Sequence, residues 1–310
     1  MLFNPYSKIN IIQNKDDWVL SWENNYLIKS LRELNYNVTL NKKINYFQIN
    51  YLPNKYYALS KRRLNYFNNK IVFDYFHGDP RISPEFNNIF KTLKSKVHLF
   101  EKIRISHSGI EDLFINEGLE AKFEKIPIGV DTSIFRKRTK SDTILARKKL
   151  KLPLNAIIIG SFQKDGIGWN EGNDPKLIKG PDIFLSTIEI LKKKISNLYV
   201  LLSGPSRGYI KSGLKKLNIQ FSHKYLDYYP KIVEYYDAID AYLISSREEG
   251  GPKAILESFA TGVPLVSTNV GQAKDLVVNN FNGWKSSKSD PEELAYLLEK
   301  ALSSENLNIL

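Results

Sequence analysis

Ser245-Ser246-Arg247-Glu248-Glu249-Gly250-Gly251-Pro252-Lys253-Ala254-Ile255-Leu256-Glu257-Ser258-Phe259-Ala260-Thr261-Gly262-Val263-Pro264 holds a strand end, a turn and a whole helix. The apolar run Ala241–Ser245 reads as a buried strand, and a polar turn follows it. Pro252 is expected as the first helical residue, where a missing N–H costs nothing. Gly262 and then Pro264 mark the helix end. Gly250 and Gly251 therefore lie against a helix N-terminus, whose free amides and partial positive charge suit a phosphate or sugar oxygen. Ile255, Leu256, Phe259 and Ala260 form the apolar stripe. Glu257 falls off that stripe, and Glu249 sits in the turn. Were both helical, they would stand roughly 12 Å apart along the axis. That is too far for one shared catalytic site and suits two carboxylates gripping separate parts of an extended ligand. Alone, Glu257 reads equally as a surface partner of Lys253 at i,i+4, and Glu249 as a solvated turn residue.

Outward from this segment, short apolar runs alternate with amphipathic stretches. Ala156–Phe162, Tyr199–Ser203, Ile219–Phe221 and Pro264–Ser267 read as further strands. Pro181–Lys193, Lys231–Asp237 and Pro291–Leu302 read as helices. In the first half, Ile9–Ile12, Val38–Leu40, Tyr46–Tyr51 and Ile71–Phe76 read as strands. Asp17–Leu34, Glu85–Leu93 and a serine-capped Ser108–Glu117 read as helices, and Glu124–Val130 as a short exit strand. Strands alternating with helices predict right-handed crossovers and parallel sheets. The polar, basic stretch Asp131–Ser141 is the expected linker, dividing the chain into domains 1–135 and 136–310. Two such units place a ligand cleft between them at the carboxyl ends of their strands.

Composition narrows the chemistry. At 310 residues, with 42% hydrophobic and 25% charged residues, the chain is globular and long enough for two cores. It has no cysteine, which excludes a disulfide scaffold, a thiol nucleophile and a cysteine-built zinc site, and makes a reducing cytoplasm the expected setting. Four histidines, none paired at metal spacing, argue against zinc. His107 with Ser108 reads as a helix cap, and His98 and His223 as structural. No apolar run reaches membrane-spanning length, and Met1-Leu2-Phe3-Asn4-Pro5 does not read as a leader. The net charge of +12 is spread over both halves, with one local run from Arg136 to Lys151. No nucleic-acid motif accompanies it, so nucleic acid is not an expected partner. The basic surface, with Tyr56-Tyr57 and Lys61-Arg62-Arg63, suits peripheral contact with an anionic membrane. The chain lacks an Asp-x-Asp, a Gly-x-Ser-x-Gly elbow and a phosphate-loop pattern. The two glutamates are awkwardly placed for a glycosidase dyad, whose acids sit about 5–9 Å apart across one bond.

Glu249–x7–Glu257, set in Glu-Gly-Gly-Pro…Leu-Glu-Ser-Phe-Ala-Thr-Gly-Val-Pro-Leu-Val-Ser-Thr, resembles the signature of family 4 glycosyltransferases, retaining enzymes of the GT-B fold. Ile126-Pro127-Ile128-Gly129-Val130-Asp131…Phe135 is similar to that family's domain-joining segment. Ile158–Phe162 with Lys179-Gly180 resembles its first C-domain strand, loop and helix start. Tyr235-Tyr236-Asp237-Ala238-Ile239-Asp240-Ala241 resembles the step into the strand before the glutamates. The likeness spans about 126–284.

The resemblance implies an α/β protein of two Rossmann-like domains facing a central cleft. It implies transfer of a sugar from a nucleotide-sugar to a hydroxyl of a glycan or lipid-linked acceptor, with retention and without a metal or other cofactor. Glu257 would hold the ribose hydroxyls and Glu249 would lie by the donor sugar, with Gly250, Gly251, Pro252 and Lys253 facing sugar and phosphate. The family's arginine position is Ser161 here, so Lys164 and Lys179 are the expected cations for the departing diphosphate. His77, in His77-Gly78-Asp79-Pro80, resembles the histidine loop that approaches the donor sugar. Catalytic work is expected of His77, Glu249 and Lys164. A non-catalytic nucleotide-sugar-binding or scaffold homologue is the alternative. It is kept open by the short first domain, by Asn14-Lys15-Asp16-Asp17 where a glycine-rich loop is usual, and by the missing arginine.

Overall fold

The computed structural model describes residues 8–12, 18–41, 43–44, 46–60 and 69–303. The Asn14–Asp17 loop and the Lys61–Arg63 basic run lie outside the described residues. The chain divides into two units, 1–127 and 128–310, against the expected division after 135. The segment from Ile128 onward is fastened within the second unit. The Ile128 amide donates to Gln272 Oε1 at 3.1 Å, and the buried Phe135 ring stands 5.9 Å from Tyr229 and 6.1 Å from Tyr236.

In the first unit the order is β1 (Lys8–Ile12), α1 (Trp18–Glu33), β2 (Asn37–Asn41), β3 (Ile49–Leu52), α2 (Lys55–Ser60), β4 (Lys70–Asp74), α3 (Pro84–Lys96), β5 (Lys102–Ile105), α4 (Ser108–Asn116) and β6 (Phe123–Lys125). Its strands form one parallel sheet, ordered β2-β1-β3-β4-β5-β6. β3 begins later than the sequence implied because Phe47 has φ +56°, which a strand does not tolerate. β6 stops at Lys125 instead of running to Val130, as Pro127 has no N–H for the ladder. α4 opens on His107, not on a serine cap. The His107 Nδ1 accepts from Gly109 N at 3.1 Å, which leaves Nε2 to donate to Phe76 O at 3.1 Å.

The second unit runs α5 (Lys140–Lys149), β7 (Ile157–Phe162), α6 (Pro181–Lys192), β8 (Leu198–Ser203), α7 (Gly208–Lys216), β9 (Gln220–Lys224), α8 (Ile232–Ala238), β10 (Ala241–Ile244), α9 (Lys253–Thr261), β11 (Leu265–Thr268), α10 (Ala273–Leu276), β12 (Trp284–Ser286) and α11 (Pro291–Ser303). The sheet order β12-β11-β10-β7-β8-β9 is parallel throughout. Counted from β7, this is the doubly wound order that reverses between its first and fourth strands. The reversal opens a crevice at the carboxyl ends of β7 and β10. Ile159, Val200, Leu202, Leu243 and Val266 fill the sheet, with Phe184, Ile188 and Leu298 packed on it.

The expected linker is partly helix. Thr139 and Asp142 form a reciprocal capping box that starts α5. Two residues of the basic run are anchors, not a solvated surface. Arg147 is 6% exposed and donates to the carbonyls of Ala238, Leu154 and Ala156 and to Asp240 Oδ2 at 2.7 Å. Arg138 donates to the carbonyls of Tyr236, Asp237 and Ile239. Arg147→Ala strips three carbonyls and a carboxylate of their donor and is expected to destabilise the second unit by about 3 kcal/mol. Lys148→Ala, on the exposed side of the same helix, is expected to stay within about 0.5 kcal/mol. Urea unfolding of the two variants checks the contrast.

In the first unit, Asp74 is 5% exposed at the end of β4. It accepts from Tyr51 Oη at 2.6 Å and lies 4.0 Å from Arg104. Burial raises its carboxyl to about 6, against the partial pull of Arg104 and Tyr51. The folded state thus holds this proton more tightly than the unfolded chain. The associated stability is complete below about pH 4 and is lost as pH rises through about 6. Asp74→Asn is expected to remove that loss, so its stability relative to the parent should rise by about 3 kcal/mol between pH 4 and 7. Denaturant titrations across that range measure it.

Candidate functional site

The β7–α6 and β10–α9 loops meet at the crevice of the second unit. Gly180 ends the first at φ +62°, and a Cβ there would stand 1.8 Å from Ser245 O, so only glycine lets the two loops touch. Ser245 Oγ donates to Gly180 O at 2.9 Å, while Arg247 N and Glu248 N both donate to Ile178 O. Arg247 then clamps Asp182 of α6 with two bonds of 2.8 and 2.6 Å. These contacts hold Lys179 and Glu249 together. The Lys179 Nζ lies 2.6 Å from Glu249 Oε2, and Ser246 Oγ donates to Glu249 Oε1 at 2.8 Å. The pair is partly open to solvent, with side chains 27% and 13% exposed. Glu249 is thus an ion-paired residue, not a solvated one.

Beyond it, Pro252 is the N-cap of α9 rather than its first residue, with ψ 115° still outside the helix. Pro252 gives no side-chain cap and no acid stands in the first turn, so the positive end of the helix dipole faces this loop. Gly271, at φ +49°, lets the next loop approach the carbonyls of Glu249 and Gly250. Gly251 in turn lies against Ile128 and Gln272.

Glu257 is not on the surface. It is 5% exposed, and its two carboxylate oxygens accept from Tyr229 Oη and, at 2.7 Å, from Tyr236 Oη. Lys253 Nζ sits 5.0 Å from the Tyr229 ring. Tyr236 stacks on Tyr242 at 5.5 Å, and Phe162 meets both rings edge-on. Burial, and then the Glu257 charge, push the Tyr236 hydroxyl well above its ordinary pKa, so it remains a donor. These tyrosines were not singled out as site residues. Tyr236 lay within the quoted Tyr235–Ala241 segment, but nothing in that pattern pointed its hydroxyl at Glu257.

The remaining expected residues are placed separately. The Lys164 ammonium stands 3.8 Å from the centre of the Trp169 ring. Ser161 lies buried in β7, and an unforeseen arginine comes to it. Arg207, 1% exposed, donates to Ser161 Oγ at 3.1 Å and to the carbonyls of Ser161, Gln163 and Ser203. Its Nε lies 3.1 Å from Asp165 Oδ1, an ion contact without hydrogen-bond alignment. Burial raises the Asp165 carboxyl and Arg207 draws it back. His77 belongs to the first unit, three residues beyond β4. Its carbonyl accepts from the buried Lys55 and its ring meets Phe86 edge-on at 5.8 Å. His223 Nε2 donates to Gly204 O at 2.8 Å, in keeping with a structural role.

Residues 175–308 match the family profile described as glycosyl transferases group 1. That match covers a little under half of the chain. Among curated proteins, an uncharacterized glycosyltransferase of Haemophilus influenzae is 29% identical over 132 residues, 42% of this chain and 37% of that protein. A D-inositol 3-phosphate glycosyltransferase of Corynebacterium urealyticum is 26% identical over 224 residues, 67% of this chain and 50% of its own. The chain thus spans half or less of the length of these two relatives. Among solved structures, a glycosyltransferase from Rickettsia africae superposes with TM-score 0.69 at 17% identity, covering 99% of this chain and 90% of that one. HepE of Anabaena, in complex with UDP-glucose, gives 0.68 at 16% identity, covering 96% and 90%. The architecture is the α/β GT-B fold with two Rossmann-like units.

Tyr236→Phe keeps the ring stacking of this domain but leaves Glu257 Oε2 without that donor. It is expected to cost about 1–2 kcal/mol in urea unfolding, with the far-ultraviolet dichroism unchanged.

Proposed function

We propose that the protein is a glycosyltransferase that moves a sugar from a nucleotide-sugar to a hydroxyl of a glycan or lipid-linked acceptor. The observation that carries this is the crevice between β7 and β10. A lysine–carboxylate pair, a helix N-terminus and a buried, tyrosine-held carboxylate are supplied there by adjoining loops and one helix. The group 1 match and the nucleotide-bound relatives of this fold support the same reading. The second unit takes the donor, with Glu257 toward the ribose, and Glu249 and the amides of Gly250, Gly251 and Lys253 toward sugar and phosphate. The first unit takes the acceptor side, and His77 approaches the donor sugar.

Departure of a nucleoside diphosphate builds negative charge at the leaving oxygen. Ammonium groups and aligned amides stabilise that charge without reorganising. Lys164, Lys179 and the head of α9 are assigned to this role, with no metal ion or other cofactor required. Retention follows from front-face attack, in which the leaving phosphate oxygen takes the acceptor proton as the glycosidic bond breaks. The expected setting is the cytoplasm, with peripheral contact at the inner membrane face. No helix among the described residues is long and apolar enough to cross a membrane.

Calorimetry with UDP-, GDP-, ADP- and CDP-sugars should find one class that binds. Glu257→Ala should weaken that binding at least about tenfold, since a carboxylate accepting two hydroxyls contributes charge-assisted bonds. The bound donor should slowly release nucleoside diphosphate. Binding without release, with acceptors supplied, would instead establish a non-catalytic nucleotide-sugar-binding protein. Glu257-independent binding, or none, would overturn the site.

A further inference from the structure

Three cations are placed at the carboxyl ends of β7 and β8, and they differ in what neutralises them. Arg207 is sealed from solvent, spends its NH groups on carbonyls and Ser161, and faces Asp165. Lys179 is paired with Glu249. Lys164 has no carboxylate within ion-pair distance among the described residues. Its ammonium rests instead on the face of Trp169, 3.8 Å from the ring centre. An aromatic face attracts a cation through its quadrupole but carries no net charge, so it fixes the ammonium without cancelling it.

The loop that carries both residues is braced for this. Gly166 and Pro175 form an antiparallel bridge, Ile167 N donates to Asp174 O, and Lys176 N donates to Asp165 O. Trp169 is clamped on both sides. Ser206 Oγ donates to Gly168 O at 3.0 Å, and Gly208 N donates to Glu171 O at 2.6 Å. Gly172, at φ +72°, lies so close to Ser206 that a Cβ would stand 2.3 Å from its carbonyl oxygen. At the base of the loop, Gln163 Nε2 donates to Lys179 O at 3.2 Å, which ties Lys164's neighbour to the crevice. Trp169 itself is 60% exposed. A large apolar ring 60% exposed on a braced loop gains little from burial, and among the described residues its ring contact is the Lys164 cation.

We infer that Trp169 is a positioning residue, holding Lys164 as the un-neutralised cation that receives the diphosphate of the nucleotide donor. Lys179 shares its charge with Glu249 and so brings less net charge to the same diphosphate, and the Arg207–Asp165 pair supports the loop. The inference rests on the donor reading of the crevice, and its test separates the two.

The binding of UDP, GDP, ADP and CDP, and of the four parent nucleosides, is measured by calorimetry at low and high ionic strength. The proteins are the parent chain, Lys164→Ala, Trp169→Leu, Trp169→Phe and Glu257→Ala. For the diphosphate that binds, Lys164→Ala is expected to weaken affinity about tenfold and Trp169→Leu about five- to tenfold. Trp169→Phe, which restores an aromatic face, should stay within about threefold of the parent. Both weakened variants should also lose part of the salt dependence, since a charge contact has been removed. Nucleoside affinity should not change. Thermal melts should coincide, as the ring is mostly exposed. A parent protein that binds a diphosphate through Glu257 while Trp169→Leu binds it equally well overturns this inference alone. So does an equal loss of nucleoside and diphosphate. A parent protein that binds none of the four diphosphates overturns the donor reading and this inference together.

Discussion

The contact between Gly180 and the carbonyl of Ser245 is the constraint from which the second unit's site follows. Parallel strands that reverse order leave two loops rising side by side, and most residue types would hold them apart. A glycine in the left-handed region removes that obstacle. The loops then share hydrogen bonds at Ile178, Gly180 and Ser245, and Lys179 and Glu249 come into register. The positions of these polar groups therefore follow from backbone sterics and the loop-to-loop hydrogen bonds.

Beneath that layer, aromatic packing does a second job. Phe135, Phe162, Tyr236 and Tyr242 form a close ring cluster beside α9, and the tyrosine hydroxyls of Tyr229 and Tyr236 turn toward Glu257. A buried carboxylate without donors would be costly. With them it is held in one orientation, and the helix that carries it is locked to α8.

Much of this was legible from residue order. The alternation of apolar runs with amphipathic stretches predicted both parallel sheets. The Gly262–Pro264 stop and the Glu249–Glu257 spacing located α9 and its acids. What escaped was information carried by distant partners. Arg138 and Arg147 read as part of a charged surface because nothing local shows that backbone carbonyls from 91 to 101 positions onward converge on them. α7 was missed because Gly208 and Gly213 weaken its helical pattern, and Gly213 is there to make room for Leu185. The surface-pair alternative for Glu257 fails because its tyrosine donors, 21 and 28 residues away, are invisible to local spacing.

Among the described residues both sheets are open, with β2 and β6 at the borders of one and β12 and β9 at the borders of the other. Such borders invite a second chain to add itself and begin an aggregate. Their composition discourages it. β6 is three residues long with Glu124 and Lys125 exposed, β9 reads Gln-Phe-Ser-His-Lys, and β12 is again only three residues. At β6 and β9 the charged and polar side chains make the edge a poor template for an added strand.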